Sequence, residues 1–521
     1  VSAERATGIT RSVRVLRNVA TNYMRFATVG VVGFVLTPLM VHLLGDGDYG
    51  LWVTVFSLTG YFGLFDQGIR PSLVRYVSQH RALDDDEGLN RTINSAFALY
   101  TLVGILTLVA AVVVSGQFGH WFHIGADRID EARLLVLIVG ATIALGFPFG
   151  VFGAALSGLQ RYDVANMIGI AVSIVRAFAF IVVLRFHGGV VGLAWASLAM
   201  SLIGYTLSWV YARRLMPGLV FARRYVTREY LKKIGSYGGI AFLGALATSI
   251  TFQTDSLVIT AWIGAASVTF FALAAGLVDN VRTLVHSATW VLSPTASELE
   301  TRGEHEKLHQ MMIAGSMYSV LLSWPPLWAL MIFGHNLLTT WVDAQHAHAA
   351  TLLTILAIPT LISLPQSTTS SVLFGISRHK GVVALSVLNA LVNLGLSILW
   401  VKPYGLTGVA YGTAIPLGLI GGVATLIYGC RELELPLGRY LWGGIIRPGL
   451  ASIAFVIPAL AVQWLFHPMG WLGLGTAVCG SWLVFAATAW GYGLTPIERR
   501  RWGRVVPGLF KLRDPAVQTG R

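Results

Sequence analysis

Apolar residues run through this chain in blocks of about twenty, separated by short polar connections, from residue 19 to residue 493. About twenty residues of helix, rising 1.5 Å each, cross the roughly 30 Å hydrocarbon core of a bilayer. The blocks predict helices over about 19–44, 51–74, 93–115, 133–157, 164–184 and 190–211. A second set falls at 236–262, 268–292, 311–333, 351–374, 382–401, 407–429, 447–466 and 471–493. Nowhere does the pattern alternate with the period of two that marks a strand. The expected fold class is an all-α polytopic membrane protein of about fourteen transmembrane helices. The first block is too long for a signal-peptide core and carries no small-residue cleavage site, so it reads as a retained span.

Composition agrees with this class: 55% of residues are hydrophobic, 12% are charged and the mean hydropathy is +0.68. Two cysteines, Cys430 and Cys479, allow no disulfide framework, and no Cys/His spacing suggests a metal. A net charge of +13 would point to nucleic acid in a soluble protein. Here its placement gives a different reason. With a cytoplasmic N-terminus, the connections expected outside hold only Arg128, Arg133, Arg185 and Lys402 of the 37 basic residues. That asymmetry predicts both termini in the cytoplasm and an even number of spans. The basic pieces are an N-terminus over 1–18, a connection over 212–235 and a tail over 494–521, all suited to anionic membrane lipids. No expected external connection is long enough to hold a domain.

The two halves repeat. Pro148, Gly158 and Arg161 match Pro365, Gly375 and Arg378 at a spacing of 217, Gly192 matches Gly408 at 216, and Gly45 matches Gly264 at 219. Six spans in each half predict parallel repeats, giving two pseudo-symmetric six-helix lobes over 19–211 and 236–429, with two added helices over 430–493. Pro148 and Pro365 hold the same slot in both, either as packing kinks or as hinges.

Seven charges fall inside predicted spans: Arg25, Arg70, Arg176, Arg282, Asp66, Asp255 and Asp279. Each costs roughly 2.5–3.5 kcal/mol near a helix centre facing lipid, so all should face protein or a wet interior. Asp66 with Arg70 and Asp279 with Arg282 have the spacing of helical pairs, and pairing alone would make them interhelical glue. Arg25 and Arg176 have no such partner in sequence. A surplus of guanidinium groups suits phosphate, which accepts their planar fork. Asp255, in TFQTDSLVIT, reads either as a proton or sodium site or as a carboxylate bonded to neighbouring Thr and Gln side chains. The acidic run Asp84 to Glu87 reads as a solvated loop. No nucleotide-binding loop, nucleophile elbow or zinc-protease motif occurs, and no cofactor is expected.

The segments GLFDQGIRPSLVRYVSQ and FQTDSLVITAWIGAASVTFFALA, with the plan of six, six and two helices, resemble the polysaccharide transporter family of the multidrug, oligosaccharidyl-lipid and polysaccharide exporter superfamily. The resemblance covers roughly residues 15–490. It implies two lobes that rock about a central cavity and carry an undecaprenyl-pyrophosphate-linked oligosaccharide to the outer leaflet of a bacterial cytoplasmic membrane. Related peptidoglycan-precursor flippases carry arginines on spans one, two and eight, whose counterparts by place are Arg25, Arg70 and Arg282; these, with Arg176 from the guanidinium surplus, are the groups expected to serve the pyrophosphate and glycan, with polymerase or export machinery as partners. Gln67 departs from the family's usual apolar residue in the Asp-x-Gly element. A multidrug extruder of the same superfamily is the alternative, though its cationic substrates would favour carboxylates over arginines. A membrane glycan polymerase or glycosyltransferase would need a sizeable loop bearing catalytic acids, so an enzyme is not expected.

Overall fold

The structure, a computed structural model, describes residues 2–122, 125, 128–235 and 239–494, with their side chains except at 2–16, 19, 65, 67, 68, 235 and 239–241. Gln67, most of the basic N-terminus and the tail beyond Leu494 therefore lie outside the described side chains. The described chain is helical with no strand.

The first helices are α1 (Ser2–Leu44), α2 (Asp46–Gly60), α3 (Leu64–Ala82), α4 (Asp86–Phe122), α5 (Ile129–Gly158), α6 (Tyr162–Arg185) and α7 (Gly189–Leu215). After a short helix α8 (Arg228–Gly235) come α9 (Gly239–Trp262), α10 (Ala265–Thr289), α11 (Leu292–Thr301), α12 (His305–Trp341), α13 (Ala349–Ser363) and α14 (Gln366–Gly375). The chain continues with α15 (Lys380–Pro416), α16 (Thr425–Glu432), α17 (Leu437–Tyr440), α18 (Arg447–Phe466) and α19 (Gly470–Thr488).

Twelve helical stretches among the described residues are long and apolar enough to cross a membrane. One of them, Lys380–Glu432, has 53 residues. Straight, it would measure about 80 Å, more than twice the bilayer core. Gly405, at φ 59° and ψ −137°, turns it back, so it makes two passes. The remaining difference from fourteen is α2 with α3: the expected span 51–74 is broken at 61–63, between Gly60 and Leu64, and neither half crosses alone. Loop 290–291 likewise separates α10 from α11, and Pro365 follows the break between α13 and α14.

Contacts divide the chain into two compact units, Val1–Ala272 with Ser386–Thr413, and Leu273–Leu385 with Ala414–Arg521. In the first unit, Leu73, Val77, Ile93, Tyr100, Val151 and Leu156 form a buried core where α3, α4 and α5 meet. Asn90 and Asn94 of α4 donate to the carbonyls of Gly218 and Val220 and accept from the N–H groups of Val220 and Ala222. These amides fasten the basic connection to α4 by standing in for a strand partner. Asp85, in the acidic run, caps α4 by accepting from Gly88 N–H at 2.8 Å. That bond, with His80 beside it, holds the Asp85 carboxyl below its ordinary range. In the second unit, Met312, Val372, Leu373, Leu426, Cys430 and Tyr440 form one core. Phe333, Phe455, Leu474 and Phe485 form another.

The repeat appears as matched backbone geometry at the spacing read from the sequence. Leucine 156 and Leu373, 217 apart, each accept from the arginine five residues on, at 2.9 Å (Arg161 N–H and Arg378 N–H). The residue before each arginine, Gln160 or Ser377, has positive φ. Such left-handed helix ends satisfy carbonyls that have no partner in the helix. Positive φ also recurs at Gly45 and Gly264, at Asp84 and Gly303, and at Gly189 and Gly405. A Cβ on Gly158 would lie 2.7 Å from Val77 of α3, and one on Gly375 would lie 2.2 Å from the Ser293 carbonyl oxygen of α11. Both glycines thus let the same pair of helices close within their own repeat.

Pro148 and Pro365 differ. Pro148 lies inside the continuous α5, whereas Pro365 opens α14. Without an N–H at 148, the Ala144 carbonyl loses its helical donor. Gly104 of α4 closes on that oxygen, where a Cβ would come to 2.5 Å.

Candidate functional site

Asp255 sits on α9 and is 2% exposed. Its partners come from far along the chain. Thr413 donates to Oδ2 at 2.6 Å and Ser397 to Oδ1 at 3.4 Å. Asn393 donates its amide to Thr413 Oγ1 at 2.8 Å, and Asn389 donates to Thr251 Oγ1 at 3.1 Å. Asn389, Asn393 and Ser397 follow at four-residue steps, which places them on one face of α15. The reading of Asp255 as bonded to its own neighbours is corrected in detail. Thr254 bonds the Tyr61 hydroxyl, and Gln253 packs against Gly60.

The chemistry of this pocket is that of oxygen atoms around one carboxylate. The carbonyl oxygens of Asn389 and Asn393 are buried with no hydrogen-bond donor among the described residues. Buried acceptors of that kind are uncommon and ask for a reason. Among the described residues no basic side chain is bonded to Asp255. A buried carboxylate without a counter-charge must be neutralised, by a proton or by a bound cation. Carboxylate, hydroxyl and amide oxygens are the ligands of hard cations. Among the described residues no three His, Cys, Asp or Glu side chains gather into a metal group.

The second cluster in this unit carries arginine. Arg70 pairs with Asp66 at 3.5 Å, and Asp66 Oδ1 also accepts from the buried Tyr100 hydroxyl at 2.5 Å. Asp66 stands in the first turn of α3, just after the break, where the helix dipole favours an anion. Arg25 of α1 lies over Gly169 of α6, where a Cβ would come within 2.8 Å of Nε. Arg25 has no ion pair among the described residues. Arg25 and Arg70 are exposed side chains. Arg176 is half-buried; its Nη2 donates to Ser201 at 3.2 Å, and its Nε is buried with no partner among the described residues. In the other unit, Arg282 and Asp279 pair at 3.2 Å.

The sequence did not single out Tyr100, Asn389, Asn393, Ser397 or Thr413. The four-residue polar rhythm on α15 was a usable signal, but Thr413 and Tyr100 carried none beyond being polar groups in a span.

The model of the family described as "Polysaccharide biosynthesis protein" matches residues 15–300. The chain belongs to that family. The match agrees with the resemblance read from the sequence. A relative from Shigella flexneri named "Putative O-antigen transporter" is 18% identical over 406 residues, covering 77% of this chain and 94% of its own. Among solved structures, the lipid II flippase MurJ in an inward closed conformation superposes with a TM-score of 0.70 at 14% identity, covering 91% of this chain and 98% of that one. An inward-facing multidrug resistance transporter of the MATE family superposes at 0.66 with 17% identity, over 79% and 99%. The family member described here therefore has the fold of the transporters and flippases of that superfamily.

Proposed function

We propose that this protein exports an undecaprenyl-pyrophosphate-linked oligosaccharide across a bacterial cytoplasmic membrane by alternating access, for cell-surface polysaccharide synthesis. The lobes at 19–211 and 236–429 are the moving bodies of this reading, both termini face the cytoplasm, and Pro148 and Pro365 are candidate hinges. The observation that carries it is the excess of guanidinium over carboxylate where Arg25 and Arg70 stand in one unit. Both side chains are exposed, and among the described residues the one carboxylate bonded to either is Asp66, already shared by Arg70 and Tyr100. A pyrophosphate would supply the missing negative charge and accept guanidinium forks. Arg176 and Arg282 serve the glycan, and Asp66 and Asp279 hold Arg70 and Arg282 in place. Asp255 is the coupling acid, taking a proton or a sodium ion during the empty return.

The test is translocation by the full-length protein in vesicles loaded with a fluorescent undecaprenyl-pyrophosphate oligosaccharide, followed by an impermeant quencher. Wild type should expose nearly the whole pool. Arg25→Ala and Arg70→Ala should leave about half of it protected, with lysine at either position restoring part of the rate. A pool that stays half protected with wild type would overturn the reading.

A further inference from the structure

Within the second unit, the start of α15 and the helical stretch from Ala424 through α16 part to leave an open groove of about 430 Å³. Gly381, Ala384 and Leu385 line one wall; Ala424, Ile427, Tyr428 and Arg431 line the other. On α15 the spacing is three and one, and on the other wall three, one and three, so each wall is a single helix face. The lining is apolar until it reaches one end. There the Tyr428 ring lies over Gly381, where a Cβ would come within 2.2 Å of it, and the exposed Arg431 stands one turn further on.

The groove faces outward on a strongly apolar surface. Leu419, Val423 and Ile427, on the same helical stretch, are 61%, 41% and 51% exposed. In a membrane-spanning chain such side chains meet acyl chains. The charge at the groove's end is positive. Arg431 and Lys380, the residue before Gly381, are exposed and have no ion pair among the described residues, while the nearby Arg378 is bonded to Glu300 and to the Glu432 carbonyl. A basic group at the mouth of an apolar crevice between spans fits an anionic headgroup. Tyrosine and arginine at the boundary of the hydrocarbon layer reinforce that placement.

We infer that this groove is a site for one anionic glycerophospholipid, with an acyl chain along the Gly381–Ala384–Ala424 floor and its phosphate at Arg431 and Lys380. The site needs neither the substrate nor the coupling ion. It would fix the outward face of α16, whose N-terminal neighbour is the π-helical stretch Leu417–Ala424, a strained winding that packing must hold.

The test uses the purified full-length protein in nanodiscs of phosphatidylcholine, titrated with phosphatidylglycerol and read by native mass spectrometry. One phosphatidylglycerol should be retained in preference to phosphatidylcholine. Arg431→Gln should weaken that retention about fivefold, at roughly 1 kcal/mol for one basic residue at a lipid surface, and Lys380→Gln should act in the same direction. Ala424→Trp should abolish retention by filling the floor; a melting temperature equal to wild type shows that the protein is folded. If Ala424→Trp fails to fold, Ala384→Leu serves the same purpose. Equal retention of both lipids by wild type would overturn the inference, as would unchanged retention in Arg431→Gln or in the filled groove. Competition by inorganic phosphate at the same affinity would make it an anion site without an acyl chain, and so also contradict it.

Discussion

The triplet of helices that holds Asp255 has a counterpart in the first repeat, and the two hold opposite charges. Shifting by the spacings of the repeat, 219, 217 and 216 residues, takes Asp255 to Leu36, Asn393 to Arg176 and Thr413 to Ser197. In the first repeat a guanidinium is set against a serine hydroxyl, as Arg176 donates to Ser201. In the second, a carboxylate receives two hydroxyl bonds beside amide oxygens that lack donors among the described residues. Arginine carries its own charge permanently and needs no mobile partner. A buried carboxylate does need one. Similar backbones, ending in the same left-handed caps, thus carry a fixed cation in one half and a buried carboxylate bonded to hydroxyl groups in the other.

The sharpest way to break this comparison is to change one member of each triplet. Asn393→Leu removes an amide oxygen beside Asp255 and should cut ion-driven translocation by tenfold or more. Arg176→Leu should leave the dependence on an ion gradient intact, although it lowers the overall rate. Translocation in vesicles with imposed sodium or pH gradients measures both, and a loss of ion dependence in Arg176→Leu would erase the distinction.

The next effect concerns how tightly each repeat closes. Gly375→Ala drives a Cβ to 2.2 Å from the Ser293 carbonyl oxygen, whereas Gly158→Ala meets the Val77 side chain at 2.7 Å and backbone, the Val74 carbonyl oxygen, only at 3.0 Å. Overpacking costs about 1–3 kcal/mol, and backbone yields less readily than a side chain. Gly375→Ala should therefore lower the melting temperature in detergent more than Gly158→Ala does; the reverse order would mean that the second repeat is the looser one.

Smaller still is the relief of backbone strain at the matched caps. Gln160→Gly and Ser377→Gly should each stabilise by less than about 1 kcal/mol, since glycine adopts positive φ without the roughly 1–2 kcal/mol charge on other residues but loses more chain entropy. The two melting shifts should be alike. Unequal shifts would show that the caps differ in context despite their common geometry.

These comparisons also mark where sequence was informative. Long apolar blocks bounded by polar turns are local signals, and they located all the long helices, including both passes either side of Gly405. The glycines of the repeat were visible for a similar reason: Gly158 and Gly375 are required by a backbone geometry that other residues resist. The break at 61–63 left no clear mark, because Gly60 and Gly63 flank apolar residues that would also suit an unbroken helix. Asp255 stood out as a charge in a span, but its partners lie 142 and 158 residues away. Which distant hydroxyls meet a carboxylate is decided by helix packing, which the period of a single helix does not encode. Tyr100, bonded to Asp66 across 34 residues, was hidden for the same reason.

The central claim is that this family member moves a lipid-linked glycan and that a cation bound at Asp255 resets it. It is tested most directly by translocation of undecaprenyl-pyrophosphate oligosaccharide in vesicles, with sodium and pH gradients imposed separately, for wild type and Asp255→Asn. The account predicts that one of the two gradients accelerates repeated turnover in wild type, and that Asp255→Asn completes a first round but no longer responds to either. Turnover indifferent to both gradients in wild type, with an unchanged rate in Asp255→Asn, would contradict it.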